Sequence, residues 1–466
     1  MLMSLQLIYG PSGSGKSYTL YKKIIEQSIR EPDREFIVIV PEQFTMQTQR
    51  ELVELHPNRG ILNIDVQSFL RLAWRIFEEV GVDTHTVLED TGKNLLLRRV
   101  ASRQKNDLTV LGRNFRKPGY ISQVKSIISE LKQYDVSLEE LDEQLRSGKK
   151  DALSYKLQDI RNLYEGFQEE LQGKYITSEE ILEELCYVVK KSEILKGCVV
   201  ALDGFTGFTP IQNKLLRELM QTAEKIYVTV TLDAWEDPMK KVSMHKLSYL
   251  SKKTIQQLAG AAKECGCMLE NPEVLGKEGS IRFRSAPALR FLERHLFRPG
   301  NQIYEAQDSQ KLERELSLHV ARDAKAEAEF AARTIWHLVR EENLRYRDIA
   351  VITGDMESFG DHMKKELQQK GIPCFIDRTR KLLLNPLVEF LRAALQIAAK
   401  SFRYESMFRY LRTGLAGLKK DEIDRLENYV LANGINSRRR WEEPWDEQEE
   451  PFKEKILPPL LAFVDQ

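Results

Sequence analysis

The sequence predicts an α/β protein of P-loop type, with parallel sheets interrupted by helical insertion domains. Three observations predict it. Near-continuous apolar runs such as Phe36-Ile37-Val38-Ile39-Val40 suit strands buried on both faces of a parallel sheet. These runs alternate with segments of helical spacing through the first eighty or so residues. A glycine-rich turn joins the first strand to the first helix.

That first strand is Leu5-Gln6-Leu7-Ile8-Tyr9, and Tyr18 to Ile25 has helical spacing. Between them Gly10-Pro11-Ser12-Gly13-Ser14-Gly15-Lys16-Ser17 fits G-x-x-x-x-G-K-[ST] at every fixed position. The glycines let the loop curl so that backbone N–H groups point inward as an anion nest. The helix N-terminus adds its positive dipole end. Gly10, Pro11, Ser12, Gly13, Ser14, Gly15, Lys16 and Ser17 are therefore expected to bind ATP. Lys16 would reach the β- and γ-phosphates, and Ser17 would ligate Mg²⁺. The motif specifies a nucleotide and leaves the reaction open.

The second strand, Glu35 to Val40, ends at Pro41-Glu42-Gln43-Phe44-Thr45, and a polar helix begins near Met46. Ile61 to Val66 reads as the third strand and feeds a helix on which Phe69, Leu72, Ala73 and Ile76 share a face. From 81 to 196 leucines and isoleucines recur at helical intervals between dense charges, which predicts a helical insertion. Strands return at Cys198 to Asp203 and Lys225 to Val230, so residues 1–80 and 197–300 form one domain carrying 81–196 inside it. Residues from about 240 to 310 read as a charged, helical connection that includes Arg282, Arg284, Arg290 and Arg294. A second α/β pattern spans 311–383, with strands expected at Leu316 to Val320, Ile349 to Thr353 and Pro373 to Ile376. Residues 384–466 read as helical, and the apolar run into Gln466 suggests a longer parent chain.

Val199-Val200-Ala201-Leu202-Asp203-Gly204 is the best candidate for a strand ending in a magnesium-side aspartate. Gly204 has no side chain with which to polarise water, so the site is expected to bind ATP and hydrolyse it poorly. A turn aspartate closing the strand is the alternative. No catalytic residue is assigned.

Composition narrows the setting. A length of 466 residues suggests about two to four domains. Apolar residues make up 42% and charged residues 30%, with no apolar run near the ~20 a membrane helix needs. Met1-Leu2-Met3-Ser4 leaves no room for a signal peptide before the first strand, and five scattered cysteines do not make a disulfide framework. Both point to a reducing cytosol. Cys265-Gly266-Cys267, a lone C-x-C, reads as two ordinary thiols. Seventy basic and seventy acidic residues cancel, which removes any global argument for nucleic-acid binding and leaves local patches open.

Together these segments resemble a superfamily 1, UvrD-type helicase with parts lost. More specifically they resemble the AddB family (RexB in some bacteria), whose members partner AddA in a helicase–nuclease. The resemblance runs through the whole chain. It is carried by the P-loop, Pro41-Glu42-Gln43-Phe44-Thr45 and Gln67-Ser68-Phe69-Leu70-Arg71-Leu72-Ala73-Trp74. Lys117-Pro118-Gly119-Tyr120-Ile121, Leu202-Asp203-Gly204-Phe205-Thr206-Gly207-Phe208-Thr209-Pro210 and Leu426-Glu427-Asn428-Tyr429-Val430-Leu431 add to it.

The resemblance implies a domain 1A at 1–80 and 197–300, a 1B at 81–196, the start of a RecA-like 2A at 311–383 and a truncated 2B at 384–466. It implies a bacterial, cytoplasmic protein acting in double-strand break repair by recombination, with an AddA-type partner, single- and double-stranded DNA, and no membrane. Ala324 to Ala332 looks like a motif of the second motor domain. The arginine that follows the Asp348-Ile349-Ala350-Val351-Ile352 strand in active relatives is missing at Thr353-Gly354-Asp355, which again implies a weak motor. The family's nuclease site and [4Fe–4S] cluster have no counterpart among these cysteines and are expected only in the missing C-terminal part. Gln43, Thr45, Phe69, Arg71 and Trp74 occupy loops that in such proteins lie on single-stranded DNA and read Chi. Core packing remains the alternative for Phe69 and Trp74, and a solvated face for Arg71. Arg438-Arg439-Arg440-Trp441 reads as a surface patch. Two rival functions stay open: a stand-alone P-loop kinase or NTPase, and a structural partner with a relic P-loop.

Overall fold

The computed structural model describes residues 3–465 apart from 83–85, 105–107, 113–116, 149–150, 299, 307, 377–381, 383–384 and 401. The chain forms two compact units, Met1–Ser317 and Leu318–Gln466.

In the first unit β1 (Ser4–Gly10), α1 (Lys16–Arg30), β2 (Phe36–Ile39), α2 (Thr45–Leu55), β3 (Ile64–Gln67) and α3 (Phe69–Val80) alternate as the sequence predicts. A helical block then runs from β4 (Thr86–Val87) through α4 (Asp90–Arg103), α5 (Pro118–Gln133), α6 (Leu138–Ser147) and α7 (Ala152–Leu171) to β5 (Tyr175–Ile176). The sheet resumes with α8 (Ser178–Val188), β6 (Val199–Leu202), α9 (Pro210–Leu219), β7 (Lys225–Thr231), α10 (Tyr249–Glu264), β8 (Met268–Leu269) and β9 (Glu273–Val274), followed by α11 (Pro287–His295) and α12 (Ser309–Glu315).

The strands lie in the order β3-β2-β6-β7-β1-β8, with β9 also on β1, and every pairing is parallel. Alternate residues supply two buried faces. Leu5, Leu7, Ile37, Ile39, Val200 and Val228 pack among residues of α3, α8, α9 and α10. Ile8, Phe36, Val38, Ala201 and Tyr227 pack under α1 and α2. Burial on both faces explains the continuous apolar runs, and it aligns the carboxyl ends of the strands along one edge, where ligands of such sheets gather.

The block expected to run from 81 to 196 divides near Thr177. Leu97, Ile121, Ile128, Leu163 and Phe167 form its separate core. Ile181, Leu185, Val188 and Val189 join the sheet's core instead. A helical period shows that a segment is helical, but not which core its apolar face enters.

In the second unit α13 (Ala324–Glu341) and α14 (Met356–Gln369) pack through Ala328, Ala332, Ile335, Met363 and Leu367. A further core gathers α15 (Pro386–Lys400), α16 (Tyr404–Leu411), α17 (Lys420–Ala432), α18 (Arg438–Glu442) and α19 (Glu450–Val464) around a fully buried Trp441. The second sheet expected from the sequence is not formed among the described residues. Residues 316–320, 349–353 and 373–376 carry no strand ladder, and Leu318, Val320, Ile352 and Phe375 are almost fully exposed. An apolar run marks a segment able to extend, but a strand needs a neighbour's backbone groups, which the run itself does not supply. No described helix is long and apolar enough to cross a membrane.

Candidate functional site

The turn between β1 and α1 is shaped by its glycines. Gly13 and Gly15 sit at φ +74° and +90°, where a side chain is strained. A Cβ on Gly10 would come within 2.6 Å of both the Leu275 carbonyl oxygen and Ser14 Oγ. Gly15 is the N-cap of α1 and supplies no capping side chain, so the first N–H groups of the helix are left without partners inside it. Ser14 is buried, and its Oγ has no partner among the described residues. Lys16 Nζ donates to the carbonyls of Gly10 at 3.1 Å and Pro11 at 2.9 Å. Burial lowers the Lys16 ammonium to about 8, against an opposing pull from Asp203, and Arg282 adds to the lowering. A half-buried cation, an orphaned hydroxyl and free helix N–H groups thus converge, and the oxygens of a polyphosphate fit that set.

A strap from Leu275 to Arg284 lies against this loop. The Leu275 N–H donates to the Tyr9 carbonyl at 2.8 Å, the Ser280 hydroxyl to the Ser12 carbonyl at 2.9 Å, and the Arg282 N–H to the Gly13 carbonyl at 3.2 Å. Beside it a cavity of about 270 Å³ is lined by Pro11, Trp235, Arg290, Arg294 and Arg298 among others. In the sequence these arginines stand out only as part of a charged connection. The available signal was Gly276-Lys277-Glu278-Gly279-Ser280, a glycine-flanked turn ahead of a basic run.

The expected magnesium-side aspartate already has partners within the protein. Asp203 closes β6 and is buried, with Oδ2 accepting from the Tyr21 hydroxyl at 2.7 Å and Oδ1 accepting from the Thr229 hydroxyl. Tyr21 stands four residues beyond Ser17, about one turn further along α1. Each Asp203 oxygen thus already accepts a hydroxyl, so a magnesium ion held by Ser17 and Asp203 would compete with Tyr21 and Thr229 for the carboxylate.

The five expected DNA-facing residues divide by burial. Gln43 and Arg71 are exposed. Arg71 Nε pairs with Glu42 Oε1 at 3.2 Å, which joins the first turn of α3 to the loop after β2. Thr45 is buried and gives its hydroxyl to the Glu42 carbonyl at 3.0 Å. Phe69 is buried, with its ring centroid 5.4 Å from that of Phe205 and 6.5 Å from that of Phe208. Trp74 is half-buried and meets Phe77 edge-on at 5.8 Å. Because β2 and β3 are neighbours, Gln43 and Arg71 belong to one edge of the sheet, while Trp74 stands about a turn further along α3 and packs against the sheet's core. In the second unit Trp441 is wholly core, while Arg438 pairs with Asp465 at 2.7 Å and with Glu442 at 2.8 Å.

Residues 7–293 match the family model described as ADDB, N-terminal, and residues 284–455 match that of the UvrD-like helicase C-terminal domain. Curated relatives are named as the B-type component of an ATP-dependent helicase/deoxyribonuclease. That of Lachnoclostridium phytofermentans is 46% identical over 95% of this chain and 38% of its own length. That of Clostridium novyi is 35% identical over 97% of this chain and 39% of its own length. That of Thermoanaerobacter pseudethanolicus is 35% identical over 95% and 38%. The chain thus spans a little over a third of the length of the relatives it matches.

Proposed function

The chain belongs to the AddB N-terminal family, and from that membership we propose that it is the helicase-like part of the AddB component of an ATP-dependent helicase/deoxyribonuclease acting in double-strand break repair by recombination. The observation that carries the nucleotide half of this reading is Lys16, a half-buried cation beside unpaired donors in a glycine-lined turn. ATP would be held there by Gly10 to Ser17. Mg²⁺ would accompany it, neutralising phosphate charge, and the Ser17 hydroxyl would help to hold it. Gly204 places no acid where water would be oriented, which supports a weak motor and movement driven by an AddA-type partner.

For DNA the support is the edge that carries Gln43 and Arg71, with the half-buried Trp74 a turn further along α3. Gln43 and Arg71 present amide and guanidinium groups suited to base edges. Trp74 offers part of an aromatic face. Thr45 and Phe69 shape this edge from beneath. Reading of Chi as single-stranded DNA passes is the specific activity proposed for it. Duplex DNA, the nuclease site and the [4Fe–4S] cluster are proposed for the longer protein, outside the stretch described. Among the described residues no group of three or more His, Cys, Asp or Glu side chains is arranged for a metal.

The test is titration of the chain with ATP and with single-stranded oligonucleotides. Binding of both supports the reading. Binding of DNA without nucleotide would leave a structural partner with a relic P-loop.

A further inference from the structure

Asp203 is the acid that a P-loop protein would turn toward its magnesium ion, yet here it sits inside a network of hydroxyls. Four elements meet at it. Tyr21 from α1 donates to Oδ2 at 2.7 Å, and Thr229 from β7 donates to Oδ1. The backbone N–H of Asp203 itself donates to the Ile39 carbonyl of β2 at 3.1 Å. Thr48 of α2 lies 3.3 Å from the Tyr21 oxygen. Because the single Tyr21 hydrogen goes to Asp203, Thr48 is the donor in that contact. Tyr21, Thr48, Asp203 and Thr229 are all nearly inaccessible to solvent.

The network is self-consistent. A buried phenol needs a partner for its polar end, and a buried carboxylate needs donors on both oxygens. Burial first, then the Asp203 charge, push Tyr21 ionisation far above the ordinary range, so the phenol remains a donor at any working pH. A cation approaching Asp203 from the P-loop side would compete with these hydroxyls for the carboxylate's lone pairs. Tyr21 stands one turn beyond Ser17 on the same side of α1, which sets it between the loop's helix and Asp203 in the hydrogen-bond chain.

We propose that Tyr21 is a positioning residue that withholds Asp203 from divalent cations, so that the P-loop binds nucleotide with little dependence on magnesium. This rests on the reading that the loop binds nucleotide at all. No local motif announces the arrangement, since the partners come from positions 21, 48, 203 and 229.

The experiment is calorimetric titration of the 466-residue chain with ATP, in excess Mg²⁺ and in EDTA, for the unaltered protein, Tyr21→Phe, Asp203→Asn and Tyr21→Phe/Asp203→Asn. Unaltered protein is expected to bind within about threefold in the two media. Tyr21→Phe leaves a buried carboxylate oxygen short of its donor, and affinity in Mg²⁺ should rise at least tenfold over that in EDTA. The double variant should lose that gain. Thr229→Val frees the other oxygen and gives the same test if Tyr21→Phe melts below working temperature. Tenfold or greater magnesium dependence in the unaltered protein, abolished by Asp203→Asn, would overturn the proposal. Metal independence in folded Tyr21→Phe and Thr229→Val would overturn it too. If the unaltered protein binds no ATP in either medium, the nucleotide reading falls and this proposal falls with it. If ATP binds and only the magnesium response is wrong, the nucleotide reading stands alone.

Discussion

Lys16 donates to the Pro11 carbonyl at 2.9 Å, so the cation of the P-loop rests on the loop's own backbone. Its folded value of about 8 lies below the ordinary 10.5, because burial disfavours the charge. Between those two values the unfolded chain holds the proton that the folded chain has released. The contribution of Lys16 to stability therefore rises with pH across about 8 to 10.5. Nucleotide binding runs the other way, since a neutral amine offers phosphate no charge. ATP affinity is expected to fall as pH climbs past about 8. Lys16→Ala should weaken binding at least tenfold at neutral pH, about 1.4 kcal/mol, and remove the pH step. Calorimetry from about pH 7 to 9.5 checks both, and equal, flat affinities in the two proteins would reject the role of Lys16.

Gly13 tests the fit between the loop and the strap. A Cβ there would lie 2.6 Å from Arg282 Cβ, at a φ of +74°. Gly81 has a similar φ of +70° with nothing within 4 Å. Gly81→Ala is expected to cost about 1 kcal/mol for the left-handed backbone alone, and Gly13→Ala about 2–3 kcal/mol because the strap must also move. Denaturant melts of the two variants separate these effects. Equal losses would mean that the strap yields freely.

Turnover should be slow. Gly204 follows Asp203 with no acid to orient water, and Asp355 serves as the N-cap of α14, accepting from the Ser358 N–H at 3.1 Å. Missing groups of this kind cost orders of magnitude in phosphoryl transfer. ATP hydrolysis by the purified chain is expected far below ~1 s⁻¹, the low end of ordinary turnover, even with single-stranded DNA. A steady-state phosphate-release assay showing tens of turnovers per second, lost in Lys16→Ala, would refute this.

The first sheet was legible because burial on both faces writes itself as unbroken apolar runs, and the P-loop because its glycines answer to local backbone needs. Features assembled across distance were not. Nothing near Asp203 in sequence announces Tyr21 or Thr229, and nothing near Gly13 announces Arg282. The second unit misled for a related reason. Ile349 to Thr353 has strand composition, yet pairing depends on a neighbour that composition does not specify. Phe69 and Trp74 show the same limit on a smaller scale. Helical spacing put both on α3, but only packing against Phe205, Phe208 and Phe77 reveals that one is covered and the other half-open.

The proposed DNA edge gives the last prediction. The Arg71–Glu42 pair is more than half exposed on both sides, and exposed pairs add little to stability. Arg71→Ala should therefore fold normally. Phe69→Ala, by contrast, empties a buried aromatic site and should cost about 3–5 kcal/mol, so its effects on DNA would be those of a damaged scaffold. Trp74→Ala should weaken single-strand binding generally, because stacking on an aromatic is worth about 1–3 kcal/mol per base and does not depend on sequence. Arg71→Ala should chiefly erase preference for one short sequence, since a bidentate base contact carries about the same energy as discrimination. Glu42→Gln frees Arg71 from its ion pair and should sharpen or shift that preference rather than abolish it. The measurement is where DNA degradation pauses in the proposed two-component helicase–nuclease carrying each substitution. If Arg71→Ala and Glu42→Gln both pause at the same sequence as the unaltered enzyme, and with the same frequency, Arg71 reads nothing and is a solvated surface charge.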